Sequence, residues 1–289
     1  GSLTAAAALV ALLTWQSRTS QPARAASEKP LLLFCAAGIK PPVEAIAQAY
    51  ESAFGIRVQI QYGGSGTLLS NLRVADTGDL FLAADESYMK SARDFGLLAE
   101  TIPLARQRPV IAVAKGNPKN IRTLEDLRRT DVRVAMANPD AASIGRTVRA
   151  LLQQAGQWTV LEKHITVFKP TVNDVANDVK IGSVDAGIVW DATARQYPEL
   201  ELVMVPLFDQ ATETISIGVL KRSGQPAAAL RFARYLGAPD QGLKQFEKFH
   251  YAPVAGDMWA ETPEIVLFSG AMLRPGIEKT LKDFEHHEG

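Results

Sequence analysis

Three glycines surround a serine in Tyr62-Gly63-Gly64-Ser65-Gly66-Thr67-Leu68-Leu69. The stretch follows a β-like run, Ile56-Arg57-Val58-Gln59-Ile60, and opens a helix-like run, Leu68 to Val74. Glycine lets the backbone turn and come close to a ligand. Ser65 or Thr67 can cap the new helix. The free amides at such a helix start, and the dipole behind them, favour an anion. The same stretch also suits an ordinary strand-to-helix turn. Other reactive side chains offer less. Cys35 is the only cysteine, so it has no internal disulfide partner, and its apolar surroundings predict a packed thiol rather than a nucleophile. His164, His250, His286 and His287 show no metal-ligand spacing, and His286-His287 reads as a solvated helix end. Asp79 and Asp85 flank a strand, as turn and cap residues do. No Ser-His-Asp arrangement is legible, so the expectation is a protein without catalysis, cofactor or metal centre.

The elements around the glycine loop follow a regular order. Leu31-Leu32-Leu33-Phe34-Cys35-Ala36-Ala37-Gly38 is a buried-strand pattern ending in small residues. A helix follows from about Pro42 to Phe54, with Val43, Ile46, Ala47, Tyr50 and Phe54 at helical spacing. Gly78-Asp79-Leu80-Phe81-Leu82-Ala83-Ala84-Asp85 reads as a third strand. Strand, helix, strand, helix, strand suggests an open parallel α/β sheet, which binds ligands at the carboxyl ends of its strands. Gly38 and the Gly63–Thr67 loop both lie there. Further on, Val110–Ala114, Val132–Met136, Ile165–Phe168 and Val184–Trp190 read as strands. Helices start at Ser143 and Asn173, so a second lobe is expected. The chain returns to the first lobe near Val203 to Leu220.

Length and composition fit two lobes with separate cores: 289 residues, 47% apolar and 21% charged. Lys plus Arg equals Asp plus Glu at 31 each, so no overall field attracts nucleic acid or an anionic membrane. Residues 1–29 read as a signal peptide or membrane anchor. Leu3 to Trp15 is apolar but short for a spanning helix, and Ala23-Arg24-Ala25 offers a cleavage site.

At this point the chain resembles the periplasmic molybdate-binding proteins of ABC importers. The resemblance rests on Phe34 to Gly38, Gly63 to Leu68, Asp79 to Asp85 and Pro109-Val110-Ile111-Ala112-Val113-Ala114-Lys115. It continues through Ala137-Asn138-Pro139-Asp140, Ser143-Ile144-Gly145 and Asp185-Ala186-Gly187-Ile188-Val189-Trp190, over about residues 30 to 252. It implies a two-lobe type-II periplasmic-binding-protein fold with a hinge and an interlobe cleft. Lobe 1 would be 30–108 plus 206–255, and lobe 2 would be 109–205. The implied ligand residues are Gly38, where relatives usually have serine, then Ser65 with Gly66, Ser143, the Ile144 and Val172 amides, and Trp190, where relatives have tyrosine. One hydroxyl is thus missing, and an indole N–H stands in for a phenol. Asp191 would point away from the site.

The implied function is capture of a tetrahedral oxyanion, molybdate or tungstate, for the membrane subunits of an ABC importer outside the cytoplasm. A monomer without nucleic-acid partners is expected. Another small anion, or a membrane-anchored ligand sensor, is the alternative. About five charge-assisted hydrogen bonds at roughly 1.5–3 kcal/mol each, opposed by burial and closure, leave a net binding energy of roughly −8 to −11 kcal/mol. The tail repeats the opening of the domain. Pro263 to Glu278 resembles Pro30 to Glu44, with Phe268, Pro275, Glu278 and Gly289 spaced like Phe34, Pro41, Glu44 and Gly55. Residues 263–289 therefore read as the truncated start of a second homologous domain.

Overall fold

In the computed structural model, residues 29–260, 267 and 270–288 are described. The N-terminal apolar segment with its Ala-Arg-Ala motif, and Phe268 and Gly289 of the tail, lie outside them.

The first stretch runs β1 (Leu31–Ala36), α1 (Lys40–Phe54), β2 (Val58–Gly63), α2 (Ser65–Val74), β3 (Leu80–Ala83), α3 (Glu86–Asp94) and β4 (Leu98–Gln107). Pro41 and Pro42 sit in the first turn of α1, where the missing N–H costs nothing. Gly55 ends that helix at φ 73°, its amide bonded to the Glu51 carbonyl. Then come β5 (Pro109–Ala114), β6 (Val134–Ala137), α4 (Ser143–Gln154), α5 (Trp158–Glu162), β7 (Ile165–Lys169), α6 (Val172–Lys180), β8 (Ala186–Trp190), α7 (Asp191–Arg195) and β9 (Leu200–Val203). The chain closes with β10 (Glu213–Leu220), α8 (Pro226–Gly237), α9 (Gly242–Lys248), the short β11 (Ala252–Pro253) and α10 (Arg274–Glu288).

Two sheets result, in the orders β11-β4-β10-β3-β1-β2 and β7-β6-β8-β5-β9. The all-parallel expectation holds only for β1 with β2 and β3. Strand β10 arrives from the other lobe and runs antiparallel to both β3 and β4. The second sheet is mixed in the same way, parallel at β6 and antiparallel along β5.

The apolar runs explain the layers. In β1, Leu31, Leu33 and Cys35 face a core with Tyr50 of α1 and Phe232 and Leu236 of α8. Phe34 faces the other way, onto Leu68 and Leu72 of α2 and Met89 of α3. Both faces are covered, which is why β1 reads as an unbroken apolar run. Each large side chain fully buried here contributes about 1.5–3 kcal/mol. A third core wraps the second sheet, around Ile111, Met136, Val148 and Ile188.

The chain crosses between the lobes at Arg108 and again through a 3-10 segment, Pro206–Ala211. Arg108 ties the crossings together: its Nη1 donates to Asp209 at 2.6 Å and its amide to Asp191 Oδ1 at 3.1 Å. Packing on the first lobe continues past residue 255. The Trp259 ring lies against Phe54 and Tyr235, and its amide donates to Asp240 at 2.8 Å. Helix α10, by contrast, has almost wholly exposed side chains over the described part.

Candidate functional site

Strand β1 ends in a 3-10 turn, Ala37–Ile39. A Cβ at position 38 would lie 2.8 Å from Val172 Cγ1 of the other lobe, so a side chain there would require that valine to shift. From behind, Tyr251 Oη donates to the Gly38 carbonyl at 2.5 Å.

At α2 the structure differs from the capping expectation. Gly64 is the N-cap, with no side-chain cap, and Ser65 is the first helical residue. Ser65 is 1% exposed. Its hydroxyl accepts from the Ala84 amide at 3.2 Å and from Ser143 Oγ, across the cleft, at 2.8 Å. Its own proton remains available for a further acceptor. The Gly66 amide, expected at the ligand, donates instead to the Ala141 carbonyl of the other lobe at 3.0 Å, and Thr67 joins it at 3.3 Å. Gly66 is therefore a lobe–lobe contact, because the Ala141 carbonyl reaches it first.

The second lobe supplies the opposite wall. Helix α4 opens with Ser143 and Ile144, and α6 opens with Val172. Thr171 and Asp174 form a capping box at α6. Strand β8 delivers Trp190, 1% exposed.

Gly38, Ser65, Ser143, Ile144, Val172 and Trp190 line one cavity, with Gly64, Ala84 and Thr171 among its other walls. About 20 Å³ of it is open to the centre of a water-sized sphere. Among the described residues no charged side chain lines it. The first amides of a helix have no acceptor within that helix, and Ser65, Ser143, Ile144 and Val172 all hold such positions. Gly38 lies in the turn that opens α1. Four helix starts thus converge on one small, neutral space. A larger groove of about 570 Å³ runs along α1 and β2, lined by Glu44, Glu51 and Arg57 among others, and touches none of these residues.

Charged groups stand back from the cavity. Asp191 is bonded to the Arg108 and Ala192 amides. Glu213, at the start of β10, accepts from Thr147 of α4 at 3.1 Å. Burial, then the neighbouring Asp85, pushes its carboxyl up to about 7. Of the residues that bridge the lobes, Ala141, Thr147 and Glu213 had no signal in the sequence. Cys35 is fully buried, and burial pushes its thiol well up. Among the described residues no group of His, Cys, Asp and Glu could hold a metal ion, and no helix is long and apolar enough to cross a membrane.

A family profile described as bacterial extracellular solute-binding protein matches residues 31–252. The chain is 30% identical to the molybdate-binding protein ModA of Mycobacterium bovis over 213 residues, 73% of this chain and 80% of that protein. Among solved structures it is similar to the periplasmic molybdate-binding protein of Azotobacter vinelandii, with TM-score 0.65 and 18% identity, over 77% of this chain and 98% of that one. It is also similar to the sulfate-binding protein SubI of Mycobacterium tuberculosis, with TM-score 0.68 and 19% identity, over 78% and 87%. The two structural likenesses speak to the fold alone.

Proposed function

This chain belongs to the bacterial extracellular solute-binding proteins, the non-enzymatic binding components of ABC transporters, and has their two-lobe type-II fold; from that footing we propose that it captures a tetrahedral oxyanion, molybdate or tungstate, for an importer's membrane subunits. The observation that carries this reading is the convergence of four helix starts on a cavity without a charged side chain. Helix starts offer amide donors and the positive end of a dipole, so an anion is the fitting occupant. Size narrows the choice. With about 20 Å³ open to the centre of a water-sized sphere, the cavity is far smaller than the roughly 300–1,000 Å³ of pockets for drug-sized ligands, which fits a small ion. Only donors face that space in this reading, so a protonated anion would leave an O–H without an acceptor.

The proposed ligand set is the Ser65 hydroxyl, Ser143, the amides at Gly38, Ile144 and Val172, and the indole of Trp190. The 30% identity to a molybdate-binding protein supports the choice of metal oxyanion. Trp190 in place of a phenol makes the choice worth testing directly. Titration calorimetry with molybdate, tungstate, sulfate and phosphate decides it. Heat from molybdate or tungstate at micromolar concentration or below supports the assignment, and binding of sulfate alone transfers the site to sulfate.

The same reading places the protein in the periplasm or another extracytoplasmic space as a monomer, with residues 1–29 as its export or anchoring segment. Residues 263–289 are read as the start of a second copy. A 3-10 segment, Ala271–Leu273, leads into the 15-residue α10 with Pro275 in its first turn. The first domain opens in the same way, with Ala37–Ile39 leading into the 15-residue α1.

A further inference from the structure

Gly64 and Gly66 both have neighbours that forbid a Cβ, and most of those neighbours belong to the other lobe. A Cβ on Gly64 would lie 2.3 Å from the Ala141 carbonyl oxygen and 2.9 Å from the Pro170 carbonyl oxygen. A Cβ on Gly66 would lie 2.6 Å from the Asp140 carbonyl oxygen and 2.7 Å from Tyr88 Oη. Backbone conformation does not demand glycine at 64. Its φ of −68° and ψ of 143° are open to any residue. Ligand approach does not demand glycine at 66, whose amide is bonded to Ala141.

What both positions do share is the path of the opposing backbone. The Ala141 carbonyl enters the N-terminus of α2 and accepts from Gly66 and Thr67 together. That carbonyl is an acceptor seated at a positive helix end, beside the cavity. We propose that Gly64 and Gly66 are closure residues: their missing side chains let the Ala141 carbonyl dock on α2, and this docking sets how far the lobes shut. The inference rests on reading the cleft as the ligand site, since closure there has a purpose only around a ligand. It makes the bare backbone at 64 a positioning feature for the second-lobe donors at Ser143, Ile144 and Val172. With a methyl at 64 the lobes stop short, and the donors of α4 and α6 stand too far from an anion held by Ser65.

Gly64→Ala and Gly64→Val test this, with Gly224→Ala as the control, because a Cβ at 224 meets nothing within 4 Å. Each protein is titrated with molybdate, tungstate, sulfate and phosphate, melted without ligand, and measured by small-angle scattering with and without tungstate. Neither obstacle at 64 lies in its own lobe, so the unligated melting temperature of Gly64→Ala should match the parent's. Affinity should fall at least about tenfold, in proportion to the lost closed fraction, and further in Gly64→Val. The ligand should leave faster, and scattering should report a more open particle. Parent-like affinity and dimensions in both Gly64 variants would overturn the inference while leaving the ligand reading intact. If the parent binds none of the four anions, the ligand reading fails. Scattering then decides the closure role alone: a more open Gly64→Val supports it, and equal dimensions overturn it.

Discussion

Replacing Ser65 by alanine separates its observed bonds from the ligand contact proposed for the same hydroxyl. Its oxygen accepts from the buried Ala84 amide at 3.2 Å and from Ser143 Oγ at 2.8 Å. Its proton is the part left for an anion. Losing a hydrogen bond to a charged ligand costs about 1.5–3 kcal/mol. By the tenfold-per-1.4 kcal/mol rule, the dissociation constant should rise between roughly ten- and a hundredfold. Separately, the Ala84 amide is left buried without its acceptor, a cost of about 1–3 kcal/mol on the fold. At this size each kcal/mol lowers the melting temperature by about 2–4 °C. Cys35→Ala is the comparison: its thiol is fully buried in β1 and donates only to the adjacent Ala36 carbonyl. That variant should lose some stability and no affinity. Calorimetry with tungstate and unligated melts on the three proteins give both numbers. A lower melting temperature with affinity within twofold of the parent would refute the reasoning, because Ser65 would then only brace Ala84.

Molybdate or tungstate at about 100 times its dissociation constant should stabilise the parent by roughly 2.7 kcal/mol. The melting temperature should rise accordingly, and less with sulfate or phosphate; no rise with either metal oxyanion at millimolar concentration refutes the assignment. Stability should also fall as pH rises. The Glu213 carboxyl, ordinarily near 4.5, is raised to about 7 in the fold by burial and then by Asp85. A raised value means its contribution is complete below the unfolded value and is lost as pH climbs through 7. The full shift would be worth about 3 kcal/mol, and partial exposure reduces it to about 1–2 kcal/mol. Glu213→Gln should flatten melting temperature between pH 5 and 8, and an unchanged slope would show that Glu213 does not titrate there. A chain ending at Thr262 keeps Trp259 and its aromatic contacts, so its anion affinity should match the parent's within twofold; unfolding on truncation would make the tail part of the first domain.

Much of the first lobe was legible because both signals it needs are local. Leu31 to Ala36 is a covered strand and reads as an apolar run, and Pro41-Pro42 with Gly55 marks both ends of α1. The glycine loop lies at the carboxyl end of β2, where its residue types place it. What it does was only half legible. Ser65 lines the cavity, but the partner of Gly66 is a backbone carbonyl, and no sequence pattern announces a carbonyl. Strand β4 gave no clear signal, since Leu98 to Gln107 mixes exposed and buried positions irregularly and contains Pro103. It forms because β10, far along the chain, pairs with it. The sheet is not wholly parallel for the same reason: strand direction in β10 depends on a chain that leaves for the second lobe and comes back.

On the proposed reading, helix α4 makes ligand capture and closure one event. Its first turn holds Ser143 and Ile144 at the cavity. The residue just before it, Ala142, follows the carbonyl that docks on α2. One turn further, the Arg146 guanidinium lies 4.5 Å from the Tyr88 ring centroid, and Thr147 bonds Glu213. These are contacts to the first lobe, carried by a single rigid element. Each is a modest interaction, and neutral hydrogen bonds contribute about 0.5–1.5 kcal/mol. A handful of them does not shut a hinge firmly against lost freedom and solvent. In the proposed site an anion at the start of α4 meets Ser143 and Ile144 there and Gly38 and Ser65 opposite, a set complete only when the lobes meet. A ligand shifts an equilibrium by its difference in affinity for the two states. Here much of its affinity is that difference, because two of its proposed donors, Gly38 and Ser65, belong to the first lobe and four, Ser143, Ile144, Val172 and Trp190, to the second.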